Sequence, residues 1–470
     1  MTKTKQLKPL FYPKSIAVIG ATNKKDKIGH IIFSRLKHSG ARLFPVHPKE
    51  AEIMGVPAYP TIESLPEKVD LAITTISADK TVSVIKACAV HGVKAAIIVA
   101  SGFGEIGEGG KKLEKELKVI HDEYGLEILG PNTLGIFLPE TGLDTIFVEH
   151  GDKALAGGGS VAFITQSGSV GTEALGVASN TGYGMRAFVG LGNKILLNET
   201  DFLEYFHEDK KVNCIAIYAE SIDDGKVFLE KAKVIAQKKA IIVLKAGRSA
   251  AGQHAVSSHT GKLAGSDRVV NGAFHQYGIQ RAFDEEEICD ASKTLSMLPL
   301  PEGNRVAVIT AAGGYGVMCT DYIEQKYPRA DLKMAELDKN TREKIMKINL
   351  PFASSRNPVD ITASATDQMY VDTLDAVLSD NGVDIVICFV FFSPPGFSEN
   401  LIDLVAKRVN SSTKPIIVFT EFGPFTDGLL KKFYDRGVVG FSSIYRTVRA
   451  VRFLEERSRI IKNLGGKVND

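Results

Sequence analysis

Short apolar runs and helix-length amphipathic stretches alternate along the first part of the chain. SIAVIGAT, ARLFPVHP, VDLAITTIS, AAIIVASGF and LEILGPNTLG are rich in β-branched residues, and each ends in Gly, Pro, Ser or Thr. Runs of this length and composition predict strands. Stretches such as GHIIFSRLKHSG and ADKTVSVIKACAVHG lie between them, so the pattern predicts an α/β fold with a doubly wound parallel sheet. Ligands of such sheets bind at the carboxyl ends of the strands. Those ends are Gly20, Ala21 and Thr22; His47, Pro48 and Lys49; Ser77; Ser101, Gly102 and Phe103; and Pro131 and Asn132.

The segment GDKALAGGGS, residues 151–160, is Gly-rich and reads as a linker. After it, VAFITQSGSVGTEA from Val161 returns as VAVITAAGGYGVMCTD from Val306, so that Gly168 matches Gly313 and Gly171 matches Gly316. KKAIIVLKAGRS around Ile241 is echoed by TKPIIVFTEFGP around Ile416. The repeat predicts two further doubly wound, flavodoxin-like units. The expected organisation is a Rossmann-like domain at 1–147, a second domain at 160–298 and a third at 303–466. In the second domain a strand runs straight into a small-residue helix start at Ser167, Gly168 and Ser169. Free backbone N–H groups, two hydroxyls and the helix dipole converge there, which suits a phosphate. Gly313 and Gly314 open the matching helix and extend the expected phosphate site to the third domain.

One stretch stands apart, GQHAVSSHTGKLAG from Gly252 to Gly265, with two histidines among glycines and small residues. It reads as a mobile loop able to carry a reactive side chain, His254 or His259. The strand IIVLKAG, 241–247, precedes it, and VNCIAIYAESIDDG places Glu220 just past another strand. The Ser167 turn, Glu220 and the histidines therefore fall on one edge of one sheet. A carboxylate there can bond one imidazole nitrogen and leave the other free to attack.

Composition narrows the possibilities. The chain has 470 residues, enough for about three domains, with 44% hydrophobic and 24% charged positions. Its formal net charge of +2 gives no footprint for nucleic acid or an anionic membrane. No apolar run approaches the roughly 18 residues of a spanning helix, and the first residues lack a signal-peptide core, which leads to the expectation of a cytoplasmic location. Cys88, Cys214, Cys289, Cys319 and Cys388 sit singly in apolar segments, without metal-ligand spacing, so no metal site is expected.

The first turn, GATNKKDKIG, lacks the middle glycine of a dinucleotide fingerprint and instead carries lysines beside a helix start, which favours a ligand with several phosphates. IGATNKKDKIG, PVHPK, SGFGE and LGPNTLG together resemble the CoA-binding domain of succinyl-CoA synthetases and their ADP-forming acyl-CoA synthetase relatives. YAESIDDG, KAGRS and SHTGKLAGSD resemble the α-subunit phosphohistidine domain of ADP-forming acetyl-CoA synthetases, and the likeness covers essentially the whole chain.

The resemblance implies that coenzyme A is bound by Gly20, Ala21, Thr22, Lys27, Lys49, Ser77, Ser101, Gly102, Phe103 and Asn132, with Thr22, Lys27 and Lys49 on its phosphates. It places the phosphoryl group on His259 of the SHTG motif, with Glu220 as its partner, and phosphate at Ser167, Gly168, Ser169, Gly313 and Gly314. The implied reaction converts acyl-CoA, phosphate and ADP into carboxylic acid, CoA and ATP through an acyl phosphate and a phosphohistidine. No P-loop is found. The nucleotide and its Mg²⁺ are therefore expected on a separate ATP-grasp β subunit, in an assembly expected to be α2β2. The competing readings are a non-catalytic CoA-sensing subunit and an NAD-dependent dehydrogenase. The first is disfavoured by the intact Glu220, His259 and Gly-rich helix starts, the second by the lysine-rich first turn.

Overall fold

The computed structural model describes residues 3–149, 158–260, 265–327, 330–421 and 423–468. Most of the expected linker, 151–157, lies outside them, as do Gly261 and Lys262. The chain divides into two compact units, Met1–Ser179 with Gly184–Ile288, and Asn180–Tyr183 with Cys289–Asp470.

The first unit carries two large sheets. In one, the strands lie in the order Arg42–Val46, Ser15–Ile19, Leu71–Thr74, Ala95–Ile98 and Glu127–Leu129, all parallel. Numbered along the chain this is 2-1-3-4-5, the doubly wound order whose ligand crevice lies between strands 1 and 3. The apolar runs become strands because both faces are covered: Ala17, Val18, Ala72, Ile73, Ala96 and Ile97 are fully buried. Helices Ile28–Leu36, Ala78–His91 and Glu108–Tyr124 form the crossovers.

After Leu129 the chain leaves this sheet through a cis Gly130–Pro131 bond and Asn132 in the left-handed region, φ 58°. Strands Ile136–Leu138 and Leu143–Asp144 then pair antiparallel in the second sheet. The stretch expected to close the first domain thus also forms one edge of its neighbour. The rest of the second sheet runs Gln280–Ala282, Ala240–Lys245, Cys214–Ala219, Val161–Thr165 and Met185–Gly190, all parallel and again in the order 2-1-3-4-5.

The second unit repeats the order with Lys333–Met334, Arg305–Thr310, Ile385–Val390, Ile416–Thr420 and Gly440–Phe441, while Val359–Asp360 pairs in parallel beside the last residues of Arg305–Thr310. The sequence repeat is therefore a repeat of topology. Val161–Thr165 and Arg305–Thr310 are equivalent strands, followed by helices Gly168–Thr181 and Gly313–Glu324. All five cysteines are buried thiols. Among the described residues no helix is long and apolar enough to cross a membrane.

Candidate functional site

A cavity of about 1040 Å³ opens at the carboxyl ends of strands Ser15–Ile19, Arg42–Val46 and Leu71–Thr74. Gly20, Thr22, Lys27 and Lys49, four of the residues expected to bind a phosphate-bearing ligand, line it. Helix Ile28–Leu36 begins there with Lys27 in an extended N-cap conformation and no side-chain cap, leaving backbone N–H groups available for an anion. The helix can approach the strand this closely only as glycine: a Cβ on Gly29 would sit 2.1 Å from the Gly20 carbonyl oxygen, and Gly20 itself has φ +90°.

Lys24, Lys80 and Glu50 are among the residues lining this cavity to which sequence reasoning assigned no role. No motif singles out any of the three, although Lys24 shares the lysine-rich first turn with Lys27. Glu50 accepts hydrogen bonds from Thr22 Oγ1 at 3.1 Å and Asn23 Nδ2 at 2.6 Å. Burial alone would raise its pKa, yet these donors hold the carboxyl below its usual range. Its own N–H donates to His47 Nδ1 at 3.0 Å, which closes the turn after the second strand.

The remaining residues expected around coenzyme A do not line this cavity. Ala21 and Phe103 are fully buried. Ser77 is the N-cap of helix Ala78–His91. On the SGFGE turn, Gly102 and Phe103 donate their N–H groups to Glu105 Oε1 at 2.6 and 3.2 Å, while Gly104 donates to Glu114 at 2.9 Å. Asn193, in the connection after strand Met185–Gly190 of the second sheet, donates to Glu105 and Glu114 at 2.6 and 2.9 Å. Asn132 in turn reaches Asn193 at 3.4 Å, and Ser101 is exposed. Through Asn193, the Glu105, Glu114 and Asn132 side chains join the loops of the two sheets of the first unit.

On the second sheet, strands Val161–Thr165, Cys214–Ala219 and Ala240–Lys245 are immediate neighbours. Their continuations therefore leave one edge side by side: Gln166 to Ser169, Glu220 to Ser221, and Ala246 to Ser249. Helix Gly168–Thr181 has no acid in its first turn, and the Ser167 and Ser169 hydroxyls lie 3.1 Å apart in a mutual hydrogen bond. Thr165 Oγ1 accepts the Ser167 N–H at 3.1 Å and donates to the Ser167 carbonyl at 2.7 Å, fixing the turn. Glu220 is 7% exposed. It lies beside Tyr218, whose phenol is pushed up to about 12 by burial first and by the Glu220 charge second.

The histidine stretch departs from expectation. Residues Ala250–Thr260 form a helix and not a loop, so His254 and His259 both lie on helical backbone. The small residues read as loop-forming are compatible with a helix, and Ser249 Oγ caps its start by accepting the Gly252 N–H at 3.0 Å. The side chain of His259 is outside the described residues. This helix lies against the Gly104–Ile106 turn, bringing the histidine segment to the loop of the first sheet.

In the second unit, Gly313 and Gly314 begin helix Gly313–Glu324, as the repeat predicts. There, however, a Cβ on Gly313 would meet the Asp360 carboxylate at 2.6 Å. That start already faces a negative group.

The chain matches family models described as CoA binding domain at residues 14–139, succinyl-CoA ligase like flavodoxin domain at 158–295 and ligase-CoA domain at 306–464. It is 36% identical to the Pyrococcus furiosus acetate–CoA ligase [ADP-forming] II subunit alpha, over 98% of this chain and 99% of that one. It is also 36% identical to the I subunit alpha of the same organism, covering 96% and 98%. Among solved structures, the dinucleotide forming acetyl-coenzyme A synthetase 1 of Ca. Korarchaeum cryptofilum, in complex with phosphate and ADP, superposes with a TM-score of 0.89 at 32% identity, covering 98% of each chain. With relatives this similar over its full length, the chain belongs to the family of α subunits of ADP-forming acetate–CoA ligases.

Proposed function

We propose that this chain is the α subunit of an ADP-forming acyl-CoA synthetase, carrying acyl-CoA, phosphate and ADP to carboxylic acid, CoA and ATP. The observation that carries the reading is the adjacency of three strand ends on the second sheet, which gathers the Ser167 helix start, Glu220 and the histidine helix at one edge, beside the SGFGE turn of the first sheet.

Coenzyme A occupies the cavity of the first sheet, its phosphates at Thr22, Lys27 and Lys49 and at the start of helix Ile28–Leu36. Inorganic phosphate, held at Ser167, Gly168 and Ser169, attacks the thioester carbonyl; a C–O bond forms, the C–S bond breaks and the thiolate of CoA departs. An imidazole nitrogen of His259 then attacks phosphorus and the carboxylate leaves. Glu220 accepts the hydrogen bond of the other imidazole nitrogen and stabilises the cation that forms. The phosphoryl group passes from His259 to ADP on a partner β subunit of ATP-grasp type, in an α2β2 assembly in the cytoplasm. Most of the catalysis is positioning and charge stabilisation. Gly313 and Gly314 are left out of the phosphate site, because Asp360 stands at their helix start. Among the described residues no group of three or more His, Cys, Asp or Glu is placed to hold a metal ion. Mg²⁺, which neutralises nucleotide phosphate charge, would travel with the ADP on the partner.

The test is phosphopeptide mapping after incubation with the β subunit, labelled ATP and Mg²⁺. Acid-labile phosphate is expected on His259 and is expected to fall sharply in Glu220→Gln. Label on His254, or none, would refute the assignment.

A further inference from the structure

Buried polar groups outside the site just described converge on one short piece of backbone, the Glu220–Ser221 segment. The N–H groups of Glu220 and Ser221 both donate to Gln166 Oε1, at 2.9 and 3.2 Å. The Glu220 carbonyl accepts from Lys245 Nζ at 2.7 Å, and the Ser221 carbonyl from Lys194 Nζ at 2.8 Å. All four main-chain hydrogen-bonding groups of the pair are thus held by side chains, two of them buried ammonium groups, where helix or sheet would ordinarily supply neutral partners. Lys194 is further anchored to Glu199 at 2.9 Å, and Glu199 accepts the Asp223 N–H at 3.2 Å. A charged donor on a carbonyl is stronger than a neutral one, but burying a lysine costs free energy, and burial depresses the Lys245 amine below its ordinary range. Such an arrangement suits a place where rigidity is worth that cost.

Lys245 does a second thing. Its Nζ also donates to the Ala246 carbonyl at 2.6 Å, in the turn that leads through Gly247, φ +74°, to helix Ala250–Thr260. One ammonium therefore ties the segment bearing Glu220 to the turn that launches the histidine helix. We propose that Lys245 is a positioning residue for phosphoryl transfer, holding the Glu220 carboxylate and the origin of the His259 helix in fixed relation, with Gln166 and Lys194 completing the clamp. This rests on the catalytic reading above and deepens it. Lys245 acts through Glu220 and touches no reacting atom.

The same strand supplies a matched control. Lys239, immediately before Ala240–Lys245, is also buried and donates to two carbonyls, Phe206 at 2.7 Å and Asp209, where it caps helix Glu199–Glu208 at the opposite end of the sheet. Lys245→Met and Lys239→Met should lose similar thermal stability. In the complex with its β subunit, labelling of His259 from ATP should slow about tenfold or more in Lys245→Met, the scale typical of removing a hydrogen bond from behind a reacting group, with KM for CoA unchanged. It should stay within about twofold of wild type in Lys239→Met. In a Glu220→Gln background Lys245→Met should add nothing further, because its effect runs through that carboxylate. If Lys245→Met does not fold, Gln166→Leu removes the acceptor from both N–H groups without burying or exposing a charge, and the same slowing is expected. Wild-type labelling in these variants, slowing equal to that of Lys239→Met, or additivity with Glu220→Gln would overturn the proposal. No label on His259 in the wild-type complex would overturn the catalytic reading itself, and the clamp's role with it.

Discussion

Substitution of Gly29 by alanine separates coenzyme A binding from phosphoryl transfer. The added Cβ would lie 2.1 Å from the Gly20 carbonyl oxygen and 2.9 Å from Thr75 Oγ1. An ordinary carbon–oxygen contact is about 1 Å longer than the first of these. Gly20 cannot yield easily: it has φ +90°, and its N–H is bonded to Val46 at 3.0 Å. The start of helix Ile28–Leu36 must therefore retreat by roughly 1 Å, an overpacking cost of about 1–3 kcal/mol. The same retreat moves the open N–H groups away from the ligand phosphate. A loss of only about 1.4 kcal/mol there means tenfold weaker binding, so CoA affinity should fall at least tenfold. Isothermal titration with CoA measures this directly. Labelling of His259 from ATP uses the second sheet and should be spared. Gly272→Ala is the control: nothing lies within 4 Å of the added Cβ, helix Asp267–Gln276 is continuous through it, and stability should rise by about 0.5–1 kcal/mol. Wild-type CoA affinity in Gly29→Ala, or equal loss of labelling and CoA binding, would refute the reasoning.

The remaining predictions concern charge. Lys49→Ala removes an exposed ammonium from the cavity and should weaken CoA binding roughly tenfold at low salt and less at high salt, measured as the salt dependence of Kd. Lys293, 2% exposed, sits 3.6 Å from the centroid of the Tyr434 ring, and burial brings its amine from 10.5 down to about 7, with Asp290 opposing and Arg446 adding to the shift. The unfolded chain then holds that proton more tightly than the fold. The contribution is neutral above pH 10.5 and costs up to about 1.4 kcal/mol per pH unit as the pH falls towards 7, then levels off. Lys293→Met should therefore be the more stable protein at pH 7, with the difference from wild type shrinking by pH 10 in urea unfolding. A wild type that is the more stable at pH 7 would contradict this.

The strands, though not their order within each sheet, were legible because parallel strands buried on both faces read as unbroken apolar runs, and the two later units because a repeated strand–glycine–helix turn survives in Val161–Gly171 and Val306–Gly316. Strand order then accounts for why Gly20, Thr22, Lys27 and Lys49 meet in one cavity: they stand at carboxyl ends around the crevice of a 2-1-3-4-5 sheet. Other residues at strand ends were not ligand-facing for a reason local pattern cannot carry. The N–H groups of Gly102 and Phe103 are consumed by Glu105, whose carboxylate also answers to Asn193, 88 residues away. The histidine stretch was illegible for a different reason: its alanines favour a helix, but AAGQHAVSSHT has almost no apolar face to mark one.

What sequence hides most completely is the use of long polar side chains as backbone partners. Lys194 and Lys245 look like surface lysines, yet both are buried and each holds a carbonyl of the Glu220–Ser221 segment. The cost of burying them is set by the fold, while any benefit is felt only when Glu220 must meet an imidazole in one orientation. Lys239 has the same burial at the other end of the same strand, where it only caps a helix. If rigidity of the fold were the whole reason for such lysines, the two would be interchangeable in their effect on phosphoryl transfer. The second bond from Lys245, to Ala246 at the root of the histidine helix, is the physical difference between them.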